Sequence, residues 1–246
     1  MTTETETILY SKSGSVAHIV LNRPRRINAY NMQMRDEMYQ ALEAVRDDPE
    51  VRVAILRGAG ERGFCAGADL SEFGTAPSQV VARQVRWERD IWGLFLSIEK
   101  PLIAALHGYV IGSGVEMACL CDIRIASEDA VFSMPEVALG MVPAAGGSQT
   151  LPRILGQGPA LEMLLTNRRI TAQDALKIGL VHSVVPSDSL LEEAERVAQL
   201  LASRKPEILA AVKTALLDGM DMPLASALEL EERLAWQVTG QQGNFT

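Results

Sequence analysis

The stretch His107–Ser127, HGYVIGSGVEMACLCDIRIAS, holds the pieces of an α/β fold within a short space. The glycine-broken turn Gly112-Ser113-Gly114 leads into an apolar run, and DIRIAS (Asp122–Ser127) then alternates as a strand does. One carboxylate, Glu116, stands inside the apolar run between Val115 and Met117. Charged side chains are seldom fully buried without a partner, so Glu116 calls for a reason. If a helix begins near Ser113, its first backbone N–H groups lack an intrahelical acceptor and carry the positive end of the dipole. Glycines at 112 and 114 let another molecule approach that backbone closely. Glu116 then falls one turn up, on the same side as Ser113. A carboxylate beside anion-stabilising N–H groups suits general acid/base work on a carbonyl compound. The plainer reading of this stretch alone is a glycine-rich turn with a partly exposed glutamate whose charge suits the dipole.

Upstream, VAHIVLN (Val16–Asn22), VRVAILRG (Val51–Gly58) and PLIAALHG (Pro101–Gly108) read as further strands. Between the first two, Met34, Met38, Leu42 and Val45 recur at helical spacing. Downstream, GGSQTLPRILG and GPALEMLLTN read as helices, with Gly146-Gly147 opening the first. Strand–helix alternation implies a largely parallel or mixed sheet covered by helices. From about Ser187 the pattern is all helix: DSLLEEAERVAQLLAS, then PEILAAVKTALLDG behind Pro206, then PLASALELEERLAW. The expected organisation is an α/β core over 1–186 and a helical C-terminal region over 187–246. The segment Glu72–Ile98 begins with turn residues and reads either as a mobile, ligand-facing element or as a plain surface helix.

The chain has 246 residues, 48% of them hydrophobic, with a net charge of −8 and no Lys/Arg block. That length supports a sizeable core. The acidic balance argues against nucleic acid or an anionic membrane as the main partner. Cys65, Cys119 and Cys121 form neither a disulfide framework nor a CxxC metal pattern, and Cys119 and Cys121 read as inert core thiols. The polar start MTTETETILY lacks a basic, apolar leader, no window approaches the length of a membrane span, and a cytoplasmic location follows as the expectation.

Two further stretches bear on chemistry. RGFCAGADL (Arg62–Leu70) follows a strand and packs small residues around Ala66, so its backbone N–H groups can face a ligand. In FSMPEVALGMVPAAGGSQTLPRILG (Phe132–Gly156), Glu136 follows Pro135 in an apolar setting.

Taken together, these stretches resemble the enoyl-CoA hydratase/isomerase (crotonase) superfamily. LNRPRRINAY, GFCAGADL, HGYVIGSGVEMACLCDIRIAS, MPEVALGMVPAAGGSQTLPRILG and ITAQDALKIGLVHSVVP match five family signatures in order, over Val16–Pro186. The resemblance implies a crotonase (ClpP-like) α/β fold, a repeated β-β-α core with a helical C-terminal trimerisation region. It implies an acyl-CoA substrate whose thioester oxygen is held by two backbone N–H groups, at the positions of Ala66 and Ser113. It implies hydration of a 2-enoyl-CoA, with Glu116 activating the water and Glu136 delivering the proton to Cα. An enoyl-CoA isomerase, or a relative acting on cyclic or aromatic-derived acyl groups, is the alternative. Arg25 is placed as a phosphate contact, and Gly112 with the backbone of Ala66, Gly67, Ala68, Asp69 and Leu70 as the thioester and adenine platform. Asp69 reads as ordering that loop rather than doing chemistry. No metal and no cofactor are implied, nor a nucleic-acid or membrane partner; a homotrimer or homohexamer is.

The chain departs from the family pattern at three places. Gly112-Ser113-Gly114 stands where three small residues, Gly or Ala, are usual, and Thr150 stands where Arg is common. After the last helix the chain ends AWQVTGQQGNFT, without the Gly-aromatic-Lys-Arg-rich tail that helps to cover CoA. His107 reads as structural, His18 and His182 have no implied partner, and Trp87, Trp92 and Phe95 read as core or subunit contact, with a place in the acyl pocket as the alternative.

Overall fold

The computed structural model describes residues 6–240 except 79, 82, 83 and 85–87. In chain order its first strands and helices are β1 (Ile8–Ser13), β2 (Val16–Leu21), α1 (Met32–Asp47), β3 (Val53–Gly58), α2 (Ile91–Ser97), β4 (Leu102–Leu106), β5 (Tyr109–Ile111), α3 (Ser113–Cys119), β6 (Ile123–Ser127) and β7 (Val131–Ser133). They are followed by α4 (Gly147–Leu155), α5 (Gln157–Thr166), β8 (Ile170–Thr171), α6 (Ala172–Lys177), β9 (Ser183–Val185), α7 (Leu190–Ala202), α8 (Pro206–Gly219) and α9 (Leu224–Gly240).

Strands covered on both faces lose the apolar/polar alternation and read as continuous apolar runs. This is so for β2, β3 and β4, the middle of a six-stranded sheet ordered β1-β2-β3-β4-β6-β9. Only the β1–β2 pair is antiparallel within it. Alternate residues serve opposite layers. Ala54, Leu56, Ala104 and Leu106 join the cluster that receives Met34, Met38, Leu42 and Val45 of α1. Val53, Ile55, Ile103, Ala105 and Ile125 face the other way, against Leu190, Ala194, Ala198 and Ala202 of α7. The small i, i+4 stripe lets α7 lie close on the sheet. Burying one such Leu contributes about 1.5–3 kcal/mol. Thus α7 covers the sheet although it begins beyond the boundary expected at 186.

The helical pair α8 and α9 packs chiefly on itself, and Lys213 ties α8 to the sheet through Asp122 Oδ2 at 2.8 Å. Its Val212, Leu216, Met220, Leu224 and Trp236 lie exposed.

Beside the main sheet stands a small one, β5-β7-β8. Here β5 and β7 run parallel, with Ile111 opposite Ser133, and Gly112 N–H continues the pairing to Ser133 O at 2.9 Å. On the other edge of β5, Cys65 bridges Val110 in parallel, with Cys65 N–H on Tyr109 O and Ile111 N–H on Cys65 O. Three segments, Cys65–Ala68, Tyr109–Gly112 and Val131–Ser133, therefore run side by side in one direction and deliver their C-terminal ends to the same place.

Candidate active site

That place is a cleft of about 420 Å³ lined by Ala66–Leu70, Gly112, Ser113, Glu116 and Glu136, with Trp92, Tyr30 and Met141 among its apolar walls. The register explains the convergence. Glu116 follows the end of β5 through the turn Gly112-Ser113, and Glu136 follows the end of β7 through Met134-Pro135.

Gly112 makes the turn at φ +51°, ψ −116°, a region that side chains resist. A Cβ there would also lie 2.8 Å from Glu136 Oε1. The glutamate thus lies against the bare backbone just before Ser113. Glu116 is 2% exposed. Its Oε1 accepts from the amides of Ala145 at 3.1 Å and Gly147 at 2.9 Å. Those two donors explain a carboxylate among apolar neighbours: its position is fixed by backbone at the mouth of α4. Glu136 is half-buried, and its Oε2 is enclosed without a hydrogen-bond partner among the described residues. Burial pushes the Glu136 carboxyl above its ordinary range.

Ala66 must be corrected. Its N–H is already donated to Ile27 O at 2.9 Å, so it is not available to a ligand. Two residues on, Ala68 occupies the paired position of a parallel bridge with Tyr30. Gly67 O accepts from Tyr30 N–H, and Asp69 N–H donates to Tyr30 O, each at 2.8 Å. In a parallel ladder the residue between two such bonds turns its own N–H to the opposite side. For Ala68 that side is the cleft, and no acceptor among the described residues takes the amide. Ser113 begins α3, where the amide has no intrahelical acceptor. Two N–H groups and two carboxyl groups thus border one cavity: donors for a developing oxyanion beside groups that exchange protons.

The remaining expected residues divide. Asp69 orders its loop, accepting from Ser71 N–H and Oγ–H and pairing with Arg23 at 3.0 Å. Leu70 lies exposed at the cleft. Arg25 is exposed on the 3₁₀ turn Pro24–Arg26 and is not among the residues that line the cleft. Trp92 does line the cleft, 6.2 Å from the Tyr30 ring, whereas Phe95 is buried in the core. Trp87 lies outside the described residues. His107 Nε2 lies 2.8 Å from Gly60 O, His182 Nδ1 accepts from Arg124 N–H at 3.0 Å, and His18 lies 3.4 Å from Glu195. These are structural partnerships. Burial pushes the Cys65 and Cys121 thiols up to about 12 and the Cys119 thiol up to about 11, so none is a ready nucleophile.

Sequence reasoning missed Asn28. It is fully buried at φ +54°, beside Ile27 at φ +50°, and its Nδ2 donates to Ala59 O and Gly63 O, both at 2.9 Å. The tolerance of Asn for left-handed backbone, in INAY, is the available signal.

A sequence profile of the enoyl-CoA hydratase/isomerase family matches residues 11–244. The short-chain-enoyl-CoA hydratase of Clostridium acetobutylicum is 38% identical over 228 residues, covering 93% of this chain and 87% of that one. The mitochondrial enoyl-CoA hydratase of Pongo abelii is 40% identical over 223 residues, 91% of this chain and 76% of that one. The solved enoyl-CoA hydratase of Bacillus anthracis superposes with a TM-score of 0.89 at 36% identity, covering 95% of this chain and 91% of that one. Sequence likeness along nearly the whole length and the same arrangement in space lead to one assignment: this chain belongs to the enoyl-CoA hydratase/isomerase family.

Proposed function

We infer that the chain is an enoyl-CoA hydratase, a lyase that adds water across the 2,3 double bond of a 2-enoyl-CoA. The observation that carries the reading is the pair Glu116 and Glu136 on one cleft, one fixed by two amides and the other with an enclosed, unpartnered oxygen. The amides of Ala68 and Ser113 receive the thioester oxygen and stabilise the enolate formed as water adds. One such donor is typically worth about 3 kcal/mol in the transition state. Glu116 orients the water and takes its proton. Glu136, whose carboxyl is held protonated more readily by burial, gives a proton to Cα. The chain itself supplies the oxyanion donors, the base and the acid of this redox-neutral addition, so the scheme calls for no metal and no redox cofactor.

The same reading makes acyl-CoA the partner and the β-oxidation type of fatty acyl breakdown the setting, in the cytoplasm. Relatives named for this activity, among them the crotonyl-CoA hydratase of Syntrophomonas wolfei at 38% identity, support it. No described helix is long and apolar enough to cross a membrane. The exposed apolar side chains of α8 and α9 support a homotrimer or a homohexamer built through these helices.

The test follows the loss of conjugated-enoyl ultraviolet absorbance with crotonyl-CoA, the 3-hydroxyacyl product being confirmed by mass spectrometry. Glu116→Gln and Glu136→Gln should each lower kcat by about 10²–10⁴. Turnover within a few-fold of wild type in either variant would sink the two-glutamate scheme.

A further inference from the structure

Among the described residues, the buried charged side chains are Glu116 and Arg124, at 2% and 6% exposure. Both bear on one short helix: Glu116 projects from its middle turn, and Arg124 meets it at the exit. Arg124 comes from β6 and reaches the exit of α3: Nη1 donates at 2.6 Å to Cys121 O, two residues past the helix's last residue, and at 3.5 Å to Ala118 O within it. Nε donates to Leu180 O at 2.7 Å. Its partners are all carbonyls; no carboxylate among the described residues pairs with it. A buried guanidinium without a counter-ion is costly, so it needs a compensating role. The last carbonyls of a helix carry the negative pole; the N–H groups of Leu120 and Cys121 already reach Ala118 O, and Arg124 adds its positive charge there and holds the turn that leaves the helix through Cys121 O. Cys119 feels Arg124 and Glu116 alike, their charges acting on its thiol in opposite senses.

The helix is only seven residues, about 10 Å long. A body that short has no slack: a tilt at Cys119 is passed to Ser113. We propose that Arg124 is a positioning residue for the reaction, clamping the rear of α3 to the Leu180 segment so that its front presents Glu116 and the Ser113 amide at fixed places. It does not touch the substrate; it acts through the helix.

The inference rests on the hydratase reading of Glu116, so Glu116→Gln is measured beside it. Arg124→Gln should lower kcat for crotonyl-CoA by about tenfold or more, as small misplacements of reacting groups do, while KM stays within about threefold. Arg124→Lys keeps a cation at the helix end but gives up the two-nitrogen fork. It should recover part of the loss, leaving kcat about threefold to tenfold below wild type with KM unchanged. Wild-type kcat in a folded Arg124→Gln protein overturns the proposal, as does KM rising in step with falling kcat, or a lysine variant no better than the glutamine one. If Arg124→Gln yields no folded protein, the lysine variant decides: reduced kcat at constant KM supports the clamp, and wild-type kcat removes it. An active Glu116→Gln protein would defeat the hydratase reading itself. An inactive one alongside fully active Arg124 variants would defeat only this inference.

Discussion

Glu116 Oε1 accepts from the Gly147 amide at 2.9 Å, a bond between the helix that carries the carboxylate and the start of another helix 31 residues along the chain. A Cβ on Gly147 would lie 3.0 Å from that oxygen and 2.7 Å from Met134 Cε. Gly147→Ala should therefore push the carboxylate from its seat. The expected outcome is a loss of about tenfold to a hundredfold in kcat with a smaller change in KM, read in steady-state kinetics with crotonyl-CoA.

Replacing single amides by esters separates Ala68 from Ala66 without changing a side chain. Lactate in place of Ala68 removes the free N–H and weakens Gly67 O as an acceptor from Tyr30 N–H, so kcat should fall by about 10²–10³ with a loss of stability of no more than about 1 kcal/mol. Lactate in place of Ala66 removes the bond to Ile27 O instead. That variant should lose about 1 kcal/mol of stability and keep its turnover.

Glu136 offers a test in pH. Its carboxyl is raised in the folded protein by burial, so the protonated form favours folding. That contribution is complete below the unfolded value and lost as pH rises through the folded one. Glu136→Gln, a permanently neutral isostere, should thus melt at a higher temperature than wild type at neutral pH. The gap should close as pH falls below about 4.3, the ordinary glutamate value, in scanning calorimetry of the two proteins. A gap that widens on acidification would contradict the assignment.

The Arg23–Asp69 pair holds the loop that offers the Ala68 amide, with both side chains mostly shielded. Asp69→Asn and Arg23→Met should each raise KM several-fold. A double-mutant cycle should return a coupling of about 1 kcal/mol, weakened by added salt if the pair acts through charge.

Leu216 and Leu224, exposed on α8 and α9, test assembly. The proposed assembly predicts three or six chains by light scattering for the wild type and a monomer for Leu216→Asp with Leu224→Glu. A wild-type monomer would remove the oligomer from the proposal.

The central strands were legible because parallel strands covered on both faces leave long apolar runs, as in VAILRG and LIAAL. The short strands Tyr109–Ile111, Val131–Ser133 and Ile170–Thr171 were not, since two or three residues carry no period and are held by distant partners. β1 escaped for another reason: five of its six residues are exposed at the sheet's edge. At the site, Glu116 and Glu136 stood out as carboxylates in apolar surroundings. Which alanine of CAGAD keeps a free amide did not, because that depends on the bonds Ile27 and Tyr30 take, and side-chain chemistry says nothing of main-chain pairing. Likewise, nothing in the apolar run announces that Glu116 will be seated by amides from residues 145 and 147.

The segments Cys65–Ala68, Tyr109–Gly112 and Val131–Ser133 are laced together by main-chain bonds, and each glutamate follows only after its strand has ended. The dock and its cargo are therefore separable. A descendant that lost Glu136, or exchanged it for a hydroxyl or an aspartate, would keep the ladder and the two amides that polarise a thioester. Its chemistry would pass to whatever side chain took the vacated berth, so this architecture can change its reaction by substitution at a strand's outlet while its grip on the carbonyl is inherited intact.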